Sequence, residues 1–188
     1  MIAAAAILIG VVANAASINW TMSNAYQPGS TEAKIGSGTG LVYFFCAEDY
    51  SSAQVQSLLS STETSLADKI AGLNANSMGK SAMTRDGGVA TSTVFNKAAG
   101  TYTFYSVIFA NNSVTEGGQY VVTSTTNGYG WDNSTDTAVA LGNQKSLTQS
   151  LSNWSSVAAE KTTDVPEPTS GLLLLLGAAG LALRRKQK

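Results

Sequence analysis

Along this chain the apolar side chains change period twice, and that switch limits the fold to a sheet with a helix laid on it. Ile18, Trp20 and Met22 alternate with polar residues, as in a first strand, and Pro28-Gly29 then marks a turn. Residues 40–47 form a continuous apolar run between glycine and Glu48-Asp49, which reads as a buried central strand. Over residues 52–71 the period becomes helical: Val55, Leu58, Leu59, Thr62, Leu66, Ile70 and Leu73 recur at steps of three and four. Ser51 and Gln54 fit a capping box, Tyr50 and Val55 a hydrophobic staple, and Gly72 a terminator. After a polar loop over 74–88 the strand period returns at 89–95, 101–110 and 119–125, with weaker candidates at 137–141 and 146–157. Residues 127–133 read as a Gly/Asn loop. The expected fold class is α+β, a mainly antiparallel β-sheet body with one amphipathic helix. Parallel pairing is not expected, because short turns join the strands after residue 88.

Composition narrows the chemistry. The 188 residues contain no histidine and a single cysteine, Cys46, so there is no internal disulfide framework, no Ser-His-Asp triad and no usual zinc site. Only 12% of residues are charged, about half the ordinary share. Residues 17–164 carry seven basic and eleven acidic side chains, a balance of −4 that offers nucleic acid no electrostatic footprint.

The two ends differ from the body. Residues 1–15 are an apolar run closed by Ala13-Asn14-Ala15, the small-residue pattern of a signal-peptidase site, so a secretory signal peptide is expected with a mature start at Ala16. No Lys or Arg precedes the run. At the other end, Val165-Pro166-Glu167-Pro168 is held extended by its prolines. Thirteen uncharged residues follow, 171–183, and then the basic cluster Arg184, Arg185, Lys186 and Lys188. This order predicts a C-terminal apolar transmembrane helix over 172–183 with the basic end cytoplasmic.

The tail, residues 165–188, resembles the PEP-CTERM sorting signal, a short domain also labelled an ice-binding protein C-terminal domain. The resemblance implies a bacterial exported protein and an exosortase-type processing enzyme as partner. It places the chain in the cell-envelope membrane and then at the cell surface or outside. The expected organisation is a signal peptide at 1–15, an exported β-rich body at 16–158, a linker with the Pro-Glu-Pro motif at 159–168, and a transmembrane sorting tail at 169–188. Further expected partners are the export machinery with signal peptidase, the bacterial membrane through the C-terminal helix, and extracellular polysaccharide.

No motif in the body specifies a reaction. Cys46 sits in an apolar run with no base to activate it and reads as a core residue. Met78-Gly79-Lys80-Ser81 resembles the end of a P-loop, but Asn74 stands where the motif needs its first glycine. Glu48 and Asp49 point apart if the strand continues; Asp86, Glu116, Asp132 and Asp136 would have to converge with them to serve a glycoside hydrolase. Asp132, Asn133, Ser134 and Asp136 offer carboxylates and an amide on a Gly-rich loop that could suit calcium, but they lack the spacing of an EF-hand loop. Thr91-Ser92-Thr93 and similar triplets read as ordinary strand residues. Tyr129 and Trp131 are candidate contacts for a sugar ring, with packing of Trp131 over the sheet edge as the commoner outcome. The expectation is a non-enzymatic exported cell-surface or extracellular-matrix protein without cofactor. A carbohydrate- or adhesin-type binding module is the alternative, and an extracellular glycoside hydrolase a distant one.

Overall fold

The computed structural model describes residues 16–123, 126–132 and 135–161. Their elements, in chain order, are β1 (Ser17–Ser23), β2 (Leu41–Cys46), α1 (Ser52–Ser60), α2 (Leu66–Asn76), β3 (Gly79–Ala82), β4 (Val89–Val94) and β5 (Gly100–Phe109). They continue with β6 (Gln119–Val122), β7 (Thr126–Trp131), β8 (Thr137–Asn143), α3 (Lys145–Gln149), a 3-10 turn (Leu151–Asn153) and β9 (Ser155–Ser156). The strands form two sheets. The smaller has the order β4-β1-β8; the larger runs β3-β2-β5-β6-β9, with β7 also paired to β5.

Two hydrophobic clusters define three layers. The first holds Ile18, Trp20 and Met22 of β1, Val89 of β4 and Val139 and Leu141 of β8 against Val42, Phe44 and Cys46 of β2 and Phe104 and Ile108 of β5. The second lies on the opposite face of the larger sheet, where Tyr43, Phe45, Tyr105, Val107 and Phe109 meet Val55, Leu59 and Leu73 of α1 and α2. The apolar run over 41–46 is thus explained. Alternate side chains of a strand point to opposite faces, and in β2 both faces are covered. Trp20 centres the first cluster, stacked on Phe44 at 4.7 Å between centroids and edge-on to Phe104 at 5.4 Å. Its indole Nε1 donates to Thr93 Oγ1 at 2.7 Å, so one of the triplet threonines serves the core. The far face of the smaller sheet is open to solvent and carries Asn19, Thr21, Ala90, Ser92, Val94, Ala138 and Ala140, with no charged side chain among them.

The structure corrects the expected fold class in several respects. The body is mostly β, built as two sheets instead of one, and it has three short α-helices instead of one amphipathic helix. The helical period over 52–71 is split between α1 and α2. In the serine- and threonine-rich break, Ser61 Oγ accepts from the Glu63 amide at 3.2 Å and bonds Thr64 Oγ1 at 2.8 Å, while Ser65 caps α2 by accepting from the Asp68 amide. Such local bonds offer the backbone an alternative to the helix. The capping box at Ser51 and Gln54 forms as read, but Gly72 lies inside α2.

One parallel pair exists, β1 with β8. The short-turn argument governs only neighbours in sequence, and these two strands are separated by most of the chain. A register shift between Thr21 and Met22 is absorbed opposite Gly142, whose φ of 75° suits a residue without Cβ. Residues 146–157 fold mainly as helix and 3-10 turn, the loop over 127–133 contains β7, and the polar loop over 74–88 contains β3. Among the described residues no helix is long and apolar enough to cross a membrane, so the expected transmembrane helix finds no support. The segment assigned to it lies outside the described residues, as do the signal-peptide residues with Ala13 and Ala15.

Candidate functional site

Among the described residues, a group of chemically capable side chains sits where β2 ends. The strand stops at Cys46, and a turn over 47–50 releases Glu48 and Asp49 in different directions. Glu48 folds back onto β5: Thr103 N donates to Oε1 at 2.9 Å and Oε2 at 3.2 Å, and Cys46 Sγ donates to Oε2 at 3.1 Å. Partial burial of Glu48 disfavours its charge, but these hydrogen bonds outweigh it and hold the carboxyl below its usual range. Cys46 responds in the opposite sense. Burial first, then donation to Glu48, pushes its thiol up to about 12. A thiol held protonated and 1% exposed is a core residue and not a nucleophile.

Asp49 takes a separate partner. It forms an ion pair with Lys97, whose ammonium also lies 5.6 Å from the centroid of the Tyr102 ring. The hydrogen bond to Asp49 raises the Lys97 pKa against the opposing effect of burial. This pair rims a cleft of about 300 Å³ with Asn76, Met78, Phe95 and Asn96. The cleft was not legible in the sequence. By sequence, residues 96–100 read as a short hairpin connection between two strands, but β4 and β5 belong to different sheets, and only the packing of the end of α2 beside this connection brings Asn76 and Met78 to the cleft.

The other carboxylates are dispersed. Asp86 Oδ1 accepts from Ser37 N at 3.0 Å, Asp136 Oδ1 from Ser17 N at 2.8 Å and Glu116 Oε1 from Glu160 N at 3.4 Å. Each braces a different loop or strand start. Among the described residues no group of three or more His, Cys, Asp or Glu side chains is placed to hold a metal ion. Of the loop weighed for calcium, Asn133 and Ser134 lie outside the described residues.

Tyr129 and Trp131 both belong to β7 and turn toward the first hydrophobic cluster. Trp131 is only 3% exposed, packs edge-on to Phe95 at 4.9 Å and donates from Nε1 to Lys97 O at 2.9 Å. Tyr129 is half-buried, and its hydroxyl donates to Ala140 O on β8 at 3.3 Å. Trp131 therefore has no open ring face for a sugar, and its indole supports the wall of the cleft through Lys97.

No curated protein and no solved structure matches the chain. A family model does, at residues 164–186: the PEP-CTERM protein-sorting motif. The tail carries a PEP-CTERM sorting motif. The match contains Val165, Pro166, Glu167 and Pro168 and the basic residues Arg184, Arg185 and Lys186; Lys188 falls just beyond it. All of these lie outside the described residues. The PEP-CTERM motif implies export, processing by an exosortase and association with the cell envelope. It covers the tail alone and assigns no activity to the body.

Proposed function

We propose that the chain is a non-catalytic exported protein of the cell surface or extracellular matrix, whose compact body is delivered by the PEP-CTERM tail. The sorting motif at residues 164–186 carries this reading. The body supports it through the separate engagement of its carboxylates: Glu48 is occupied by Thr103 and Cys46, and Asp49 by Lys97, so the adjacent pair does not share one reaction centre. Replacing Pro166-Glu167-Pro168 with three alanines is expected to block processing, so that full-length chain accumulates in the cell envelope. Processing at the wild-type rate would overturn the reading.

The cleft favours a second reading, a binding module for a neutral saccharide. Met78 and Phe95 supply apolar wall, Asn76 and Asn96 supply amides, and the volume of about 300 Å³ suits a ligand of one or two sugar units. The contacts for this reading lie in the cleft and not at Tyr129 and Trp131. Titration calorimetry of the body with exopolysaccharide fragments from the producing cell tests it. Heat of binding abolished by Asn76→Ala with Asn96→Ala supports the reading, and binding that survives both changes excludes the cleft.

A further inference from the structure

A pocket of about 200 Å³ opens at one end of the smaller sheet, lined by Thr21, Met22, Ser23, Arg85, Ala140 and Gly142. Its floor comes from the register shift between β1 and β8. Thr21 pairs with Ala140, but Met22 pairs with Gly142, so Leu141 is an extra residue and the two strands part. At Gly142 nothing lies within 4 Å of the point where a Cβ would stand. Gln144 fixes this bulge. Its backbone N donates to Ser23 O at 2.9 Å, and its side-chain amide donates to Leu141 O.

The facing wall is the turn over residues 85–88. Gly88 N donates to Arg85 O at 3.0 Å, and Gly87 takes the positive φ of 65° that the turn requires. The turn is pinned from outside as well: Ala25 N donates to Gly87 O at 2.8 Å, and Gly87 N to Ile35 O at 2.6 Å. Gly88 has to be bare, because a Cβ there would stand 2.7 Å from Arg85 Nε and 3.0 Å from Met22 O. The arginine side chain therefore lies against the turn, close to β1, on a rigid mount. Its charge is not spent within the body. Lys97 and Asp49 form the ion pair among the described residues, and Asp86, next to Arg85, accepts from Ser37 N instead. Lys34 packs its stem beside Gly87 and adds a second positive charge to the same turn. The hydroxyls of Thr21 and Ser23 bond no other described residue.

We propose that this pocket binds a uronic acid unit, with Arg85 holding its carboxylate. The planar guanidinium matches a carboxylate with two parallel hydrogen bonds. Thr21 and Ser23 supply hydroxyls for a hydroxylated ring, and Ala140 and Gly142 supply a smooth floor for its C–H face. The volume takes a single ring, and a longer saccharide would continue over the neutral side chains of Asn19 and Ala138. A neutral sugar would leave the guanidinium idle. An inorganic anion would leave the hydroxyls and the floor idle. The pocket shares no residue with the cleft at Asp49 and Lys97, and it stands whichever way the chain is sorted.

Calorimetric titration of the purified full chain at low salt tests this, with trigalacturonate, its methyl ester and inorganic phosphate as probes. Trigalacturonate is expected to bind, and the uncharged ester and phosphate at least tenfold more weakly. Arg85→Gln should weaken trigalacturonate at least tenfold, the scale of one charge-assisted hydrogen-bonded pair. Arg85→Lys keeps the charge without the fork and should recover only part of that loss. Ala140→Val intrudes on the floor at unchanged charge and should weaken binding at least threefold. Arg85 and Ala140 face solvent, so thermal midpoints should hold. Should Ala140→Val shift its midpoint, the two Arg85 variants carry the test. No binding of trigalacturonate, or unchanged binding in Arg85→Gln, would overturn the proposal. So would ester or phosphate binding as tight as trigalacturonate, which would remove the carboxylate or the sugar from the recognition. An equal loss in Lys80→Gln, on β3 of the other sheet, would reduce the effect to diffuse attraction and overturn it too.

Discussion

At Cys46 and Glu48 two neighbouring groups shift in opposite directions because one donates to the other. A thiol near 12 is ionised to roughly one part in ten thousand at pH 8. Labelling of native protein by a disulfide reagent should therefore be slower than that of unfolded chain by several orders of magnitude, and global unfolding should restore it. Fast labelling of the native state would contradict the buried placement. Glu48 has its own pH signature. Its folded pKa lies below the ordinary value of 4.5, so its stabilisation is fully present above that pH and is lost as pH falls through the folded pKa. Glu48→Gln should make the fall in Tm below pH about 4.5 shallower and leave the neutral range nearly level; thermal melts from pH 3 to pH 7 check this. The burial of Cys46 was readable from its apolar neighbours Phe44, Phe45 and Ala47. Its partnership with Glu48 was not, because it depends on where β2 stops and on Thr103 arriving from β5.

At the scale of elements, legibility followed the locality of the signal. The capping box of α1 involves residues three apart and was read directly. The break between the helices was hidden because Val55, Leu58 and Leu59 before it and Leu66, Ile70 and Leu73 after it all pack on the same face of the larger sheet. The run over 60–65 held the only warning. Ser65→Ala removes the cap of α2 and should cost about 1 kcal/mol in urea denaturation, whereas Ser60→Ala, outside any cap, should change stability little. β7 escaped notice for a different reason. Its glycines and asparagine have loop composition, and pairing with β5 over Gly100, Thr101 and Tyr102 overrides that preference. The parallel neighbour of β1 left no local trace either, because its partner comes from the far end of the body.

For the whole molecule, the three layers predict where the chain tolerates shortening. A fragment of residues 16–161 should melt cooperatively, since it keeps the buried clusters on both faces of the larger sheet. A fragment ending at residue 154 loses Val157 and uncovers Lys69, and should melt several degrees lower. Equal midpoints would mean that residues 155–161 add nothing to the second cluster. Trp20 gives the matching test for the first cluster: Trp20→Ala should cost about 3–5 kcal/mol, measured by chemical denaturation.

The open face of the smaller sheet has a consequence at the scale of the medium. Asn19, Thr21, Ala90, Ser92, Ala138 and Ala140 present short neutral side chains in register, and Val94 at its edge is 56% exposed. Arg85 stands at its margin, lining a pocket with Thr21 and Ala140; the named side chains themselves carry no charge for mobile ions to screen. Whatever rests against these side chains is met by shape and hydration, with no ion pair of their own to offer.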